Sequence, residues 1–107
     1  MIIDNLKTPY YAVIFTTLMT DNLENYTTTA QKMEALAKLQ KGFLGIESAR
    51  SKLGITVSYW QSLEAITSWK NNIEHTEVRI LGREKCYKKY QLRICKVERE
   101  YGFEKKI

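Results

Sequence analysis

Ten residues from Tyr10 to Met19, YYAVIFTTLM, are dense in β-branched and aromatic side chains, and Pro9 stands just before them. This composition predicts a strand with the proline at its entry. From Leu23 the period changes. Leu23, Tyr26, Ala30, Met33 and Ala37 recur at spacings of three and four, which is one apolar stripe of a helix. Asp21 with Glu24 gives that helix an acidic form of the capping box. Gly42, after Lys41, is expected to close it in the left-handed conformation. FLGIESAR and GITVSYW then read as two strands of a hairpin, joined through Ser51-Lys52-Leu53-Gly54 with Gly54 making the turn. Ser62 caps a second expected helix, with Leu63, Ile66, Trp69 and Ile73 as its stripe. Helical character continues from Glu74 to Arg83 after a break near Asn71-Asn72, with Gly82 close to its end. CYKKYQLRICKVEREYGF reads as a long last strand that runs out into a charged tail.

The order strand, helix, strand, strand, helix, strand is the split β-α-β-β-α-β unit of an α+β, ferredoxin-like fold. Right-handed crossovers place both helices on one face of a four-stranded antiparallel sheet. Such a sheet should alternate apolar and polar positions, and these strands alternate poorly. Tyr11, Val13 and Phe15 oppose Ala12, Ile14 and Leu18; Ile55, Val57 and Tyr59 oppose Thr56, Ser58 and Trp60; Phe43 and Ala49 oppose Leu44 and Ile46. Both faces carry large apolar groups, and helices cover only one. A homodimer with the sheets face to face buries the other. The alternative is a monomer that uses the open aromatic sheet as a binding platform.

Length and charge refine this picture. The 107 residues suit a single domain spanning 1–107. No apolar run of about 18 residues suggests a membrane span. The start, MIIDNLKTPYY, lacks the pattern of a signal peptide, so a cytoplasmic location is expected. Cys86 and Cys95 are an odd number of residues apart on one strand, which points them to opposite faces, so two packed, reduced thiols are expected. Residues 1–78 carry 7 basic and 8 acidic side chains, and residues 79–107 carry 10 and 4. The basic surplus of the last third fits a solvated edge strand guarded by lysine.

The segments GFLGIESAR and GITVSYWQSLEAITSWK, with Glu74-His75 six residues after Trp69, resemble the antibiotic biosynthesis monooxygenase family, in particular its small bacterial members. The resemblance spans a core of roughly residues 10–101, leaving a short N-terminal lead and a charged tail. It implies a ferredoxin-like fold assembled as a dimeric α+β barrel, with a cleft between sheet and helices in each subunit. It also implies cofactor-free oxygenation of aromatic compounds as one activity and haem degradation as another. The haem-degrading relatives use an Asn on the first strand, a Trp in the second helical region and an axial His. Trp69 matches the Trp. His75 stands at a shorter gap than their His, and YYAVIFTTLM has no Asn. No cofactor is therefore expected, with haem as the alternative.

In cofactor-free oxygenation the substrate loses a proton and then gives electrons to O₂ itself. The protein must hold an aromatic plane, take a proton and exclude water. Trp60, Trp69, Tyr59 and Phe15 are the candidate walls of a substrate site. His75, the only histidine, is the candidate general base. Arg50 and Glu47, three apart on the second strand, point to opposite faces; Arg50 is a candidate substrate contact or a dimer-interface ion-pair member. Tyr87, Tyr90 and Arg93 are weaker candidates at the cleft mouth. With one histidine and no C-x-x-C, a multi-ligand metal site is not expected. Glycine-rich nucleotide loops are missing. RNA recognition needs a basic residue and an aromatic where LGITVSYW has Leu53 and Ile55, so no nucleic-acid partner is expected. The expected function is a monooxygenase-like protein acting on or binding a small hydrophobic aromatic; a non-catalytic dimer of the same fold is the alternative.

Overall fold

A computed structural model describes residues 2–21, 23–74 and 87–106, without the side chains of 23–29 and 74. Its elements are β1 (Tyr10–Met19), α1 (Leu23–Lys38), β2 (Phe43–Arg50), β3 (Leu53–Trp60), α2 (Leu63–Glu74) and β4 (Tyr87–Val97). The strands form one antiparallel sheet in the order β2-β3-β1-β4. This is the α+β ferredoxin-like arrangement that the element order predicts.

The pairing register decides which side chains share a face, because antiparallel partners point the same way. Val13 pairs with Ser58, Tyr11 with Trp60 and Thr17 with Gly54. All six belong to the helix-covered face, where Val13, Ser58, Trp60 and Thr17 are buried. Ala12 pairs with Tyr59, Ile14 with Val57 and Leu18 with Leu53 on the outer face. In β2 the register shifts between Phe43 and Gly45, so Leu44 is an extra, bulged residue. This corrects the expected alternation of that strand. Phe43 pairs with Trp60 and Ile46 with Ser58, so both face the helices, while Ala49 stays outside with Ile55.

The core lies between the helices and the Trp60 end of the sheet. Ala37 of α1, Ala65, Ile66 and Trp69 of α2, and Val13 and Trp60 of the sheet form one buried cluster, with Ile73 packed against it. Leu63, expected in the α2 stripe, is instead 52% exposed; Ala65 takes the inward place. Ser62 Oγ accepts from the amide of Ala65 at 3.1 Å, the cap that its position predicts. The side chain of Glu24 and residues 75–86, including Gly82, Arg83 and Cys86, lie outside the described residues. α1 ends at Lys38, four residues before Gly42. Gly42 does adopt φ 95°, but within the turn that leads to β2, where a Cβ would stand 3.0 Å from that of Ala65. Gly54 is not a turn residue. It lies inside β3 opposite Arg50 and Thr17.

The outer face is covered at one end by the chain's own lead. The amide of Ile3 donates to Glu47 Oε2 at 2.7 Å, and its side chain lies against Gly45. Tyr10 and Ala12 are buried there. At the other end Leu18, Leu53 and Ile55 are 38%, 47% and 42% exposed. β4 is an edge strand with Lys88, Lys89, Arg93 and Lys96 exposed, as the guarded-edge reading requires. Cys95 is a free thiol and exposed, not packed as expected, because among the described residues nothing covers its edge strand there. No helix among the described residues is long and apolar enough to cross a membrane.

Candidate functional site

Beyond the buried tryptophan cluster, sheet and helices part to leave a cleft of about 100 Å³. Every element contributes to it. Phe15 and Val13 of β1, Ile46 of β2, Met33 of α1, Trp69 of α2 and Tyr87 of β4 make the apolar wall. Thr17, Ser48, Thr56, Ser58 and Arg50 make a polar floor, and Glu34 stands on the α1 side.

The aromatic wall is fixed by ring contacts and by hydrogen bonds from both indoles. Trp60 and Trp69 stack with centroids 5.1 Å apart and planes at 28°, and Phe43 meets Trp60 edge-on at 5.3 Å and 78°. Nε1 of Trp60 donates to Ser58 Oγ at 2.8 Å. Nε1 of Trp69 donates to the carbonyl of Met33 at 3.3 Å, tying α2 to α1. Phe15 packs against Tyr87 and Tyr90, each at 5.4 Å. The hydroxyl of Tyr87 reaches Met33 Sδ at 3.9 Å.

The polar floor follows from register. Ser48 pairs with Thr56, and Arg50 pairs with Gly54, which pairs in turn with Thr17. These residues from three adjacent strands therefore share one face. Nη2 of Arg50 donates to Thr17 Oγ1. The guanidinium lies over Gly54, where any Cβ would overlap it.

The candidates from the sequence divide into three groups. Phe15, Trp69 and Arg50 come together at the cleft. Trp60 does not line it; it is fully buried behind Trp69 and supports that wall. Tyr59 does not line it either, because neighbouring strand residues face opposite ways. Its hydroxyl donates to Glu47 Oε1 at 2.5 Å on the outer face. Arg93 pairs with Ile14 and also faces outward, whereas Tyr87 and Tyr90 are on the cleft side. His75 follows α2 directly and lies outside the described residues. Met33 and the hydroxyls of Thr17, Ser48, Thr56 and Ser58 were not anticipated as site residues. For all but Ser48 the signal was present: Thr17, Thr56 and Ser58 fall on the same alternate positions as Val13 and Trp60, and Met33 falls on the α1 stripe, whereas the bulge at Leu44 conceals the face of Ser48.

Among the described residues the electrostatic shifts fall on the outer face. The Tyr59 hydroxyl, helped by the Ile3 amide, holds Glu47 below the usual carboxylate range. Burial first, and then Glu47, pushes the Tyr59 phenol well up. Burial, and then a hydrogen bond to Glu100, raises Tyr10.

The chain is 45% identical over 98 residues to the uncharacterised protein YqjZ of Bacillus subtilis (strain 168), covering 90% of this chain and 86% of that protein. The chain belongs to the YqjZ family. No family model matches the sequence. Its fold is that of the antibiotic biosynthesis monooxygenases. SnoaB, a cofactor-independent oxygenase from Streptomyces nogalater, superposes with a TM-score of 0.74 at 8% identity, over 87% of this chain and 97% of SnoaB. A proposed antibiotic biosynthesis monooxygenase from Bordetella bronchiseptica superposes at 0.66 with 17% identity, over 88% and 99%. Rv0793 from Mycobacterium tuberculosis gives 0.72 at 12% identity, over 87% and 99%. At these identities the structural likeness carries the fold to this member of the YqjZ family and leaves its chemistry to the cleft.

As the described residues enclose it, the cleft is smaller than a haem requires. Drug-sized ligands need roughly 300–1,000 Å³, against about 100 Å³ here. Among the described residues no group of three or more His, Cys, Asp or Glu is placed to hold a metal ion.

Proposed function

We propose that the protein is a cytoplasmic, cofactor-independent monooxygenase-like protein that binds and oxidises a small hydrophobic aromatic molecule. The observation that carries this reading is the cleft between sheet and helices, walled by Phe15, Trp69 and Met33 and closed behind by Trp60. SnoaB, of the same fold, is described as cofactor-independent. An electron-rich aromatic held against Phe15 and Trp69 needs one further group, a base, to start the reaction. His75, next in the chain after the helix that carries Trp69, is assigned that role. The substrate gives up two hydrogens, one from the reacting ring carbon and one from the phenol oxygen, and gains one oxygen atom from O₂ as it becomes a quinone; the other oxygen leaves as water. The four electrons come from the substrate, so no cofactor enters the balance.

The active form is a homodimer. Leu18, Leu53 and Ile55 share the outer sheet face with half-buried Ile14 and Val57. A second copy laid sheet to sheet removes this patch from water.

The test is ligand-dependent O₂ uptake by the purified protein with single-ring phenols, followed in an oxygen electrode, beside quenching of the Trp60/Trp69 fluorescence. Binding with O₂ uptake that His75→Ala abolishes is the expected result. Uptake unaltered in His75→Ala removes His75 from the mechanism. Quenching with no uptake for any phenol leaves a binding protein of this fold in place of an oxygenase.

A further inference from the structure

We propose that the polar end of the cleft binds the carboxylate of a single-ring aromatic acid, with Arg50 as the group that selects it. This deepens the preceding reading and rests on its aromatic cleft. Arg50 and Ser48, exposed on the edge strand β2, lie side by side with Thr17 and Thr56 on the cleft face of the sheet. They are grouped at the end away from Phe43 and Trp60. The ligand they suit has one apolar end and one oxygen-rich end.

The guanidinium is placed, not merely near. Gly54 leaves the space that it occupies, and the hydroxyl of Thr17 accepts one of its N–H groups. A guanidinium presents five N–H donors in a planar fork that matches a carboxylate, and a fork held in place loses less freedom on binding. Threonine and serine hydroxyls beside it can donate to the same oxygens. Glu34, the carboxylate on the opposite side of the cleft, is engaged by Lys38 at 3.3 Å.

Size limits the ring system. A closed cavity of about 150 Å³ holds one benzene ring. This cleft has about 100 Å³ and is open on one side. One ring can enter between Phe15 and Trp69 with its substituent at the mouth, where Arg50 is exposed. As the described residues enclose it, the space falls short of two fused rings.

The experiment compares benzoate with its neutral isostere benzamide, by quenching of tryptophan fluorescence and by calorimetry on the full chain. A charge-assisted contact at a partly open site predicts at least about tenfold tighter binding of benzoate. Arg50→Gln is expected to erase that preference and leave benzamide unchanged. Gly54→Ala keeps the charge but displaces the guanidinium, and is expected to erase the preference as well; it also serves if Arg50→Gln fails to fold. Arg93→Gln removes a charge from the opposite face and should leave the preference intact. Equal affinity for both ligands in the unaltered protein, or a preference that survives Arg50→Gln, overturns the headgroup site and leaves the aromatic cleft standing. If neither ligand binds while a single-ring phenol does, this proposal fails and the aromatic cleft stands; if none of the three binds, both fail.

Discussion

Trp60 is the side chain whose removal tests the packing behind the cleft most directly. It is fully buried, stacked on Trp69, capped edge-on by Phe43 and hydrogen-bonded to a serine that is 2% exposed. Trp60→Phe keeps a six-membered ring against both aromatic neighbours. It removes roughly three heavy atoms from the core, about 2 kcal/mol at ~0.8 kcal/mol per buried methylene. It also leaves the Ser58 hydroxyl without its indole donor, which adds about 1 kcal/mol. The expected loss is about 3 kcal/mol. Ser58→Ala strands the indole N–H instead and costs about 1 kcal/mol. The double variant strands neither group, so its loss should fall short of the sum by about 1–2 kcal/mol. The assay is urea unfolding followed by far-UV circular dichroism, since fluorescence changes with the tryptophan itself. Protein concentration is held fixed, because association shifts apparent stability, and equal m-values validate the comparison. Losses that add to within about 0.5 kcal/mol would refute the hydrogen-bond argument. A loss under about 1 kcal/mol for Trp60→Phe would refute the packing argument.

Two further outcomes concern the outer face. Glu47 is held low chiefly by the hydrogen bond from Tyr59, and Tyr59 is held high by burial first and then by that same bond. A lowered acid stabilises the fold above its unfolded value and loses this as pH falls through its folded value; a raised phenol stabilises below about pH 10 and loses this as pH rises through its own. Tyr59→Phe should therefore lower thermal stability at neutral pH and soften both the acid and the alkaline decline, and melts with an unaltered acid limb would count against the pair. Ile55→Lys places a charge in the exposed outer patch; in sedimentation velocity the unaltered chain is expected to run as a dimer and the variant as a folded monomer, and equal mass for both would end the sheet-to-sheet reading.

The element order and most boundaries were legible from periodicity, because β1, β3 and α2 announce themselves by composition and by a serine cap. The cleft was only half legible. Strict alternation along β3 already separates Trp60 from Tyr59, so naming both as walls of one site conflicted with the strand's own geometry. Leu44 hid the rest. A bulge adds a residue without changing composition, yet it moves Ile46, Ser48 and Arg50 onto the face shared with Phe43. Gly54 looked like a turn residue because glycine in a short connection commonly is one. Its actual use, leaving room for a guanidinium from the neighbouring strand, depends on a cross-strand register that local sequence does not display.

β3 shows how one strand supplies both surfaces. On the helix side its residues run Trp60, Ser58, Thr56, Gly54, so side-chain bulk collapses after the first and the helices above cannot follow the surface down. The space left over is the cleft. On the outer side the same strand runs Tyr59, Val57, Ile55, Leu53, and exposure grows towards the end that the Ile3 lead does not reach. The hollow and the uncovered apolar patch therefore lie back to back across a single layer of backbone. A second copy seated on Leu53 and Ile55, as the sheet-to-sheet reading requires, would lie directly behind Thr56 and Gly54, on the far side of the strand that carries them.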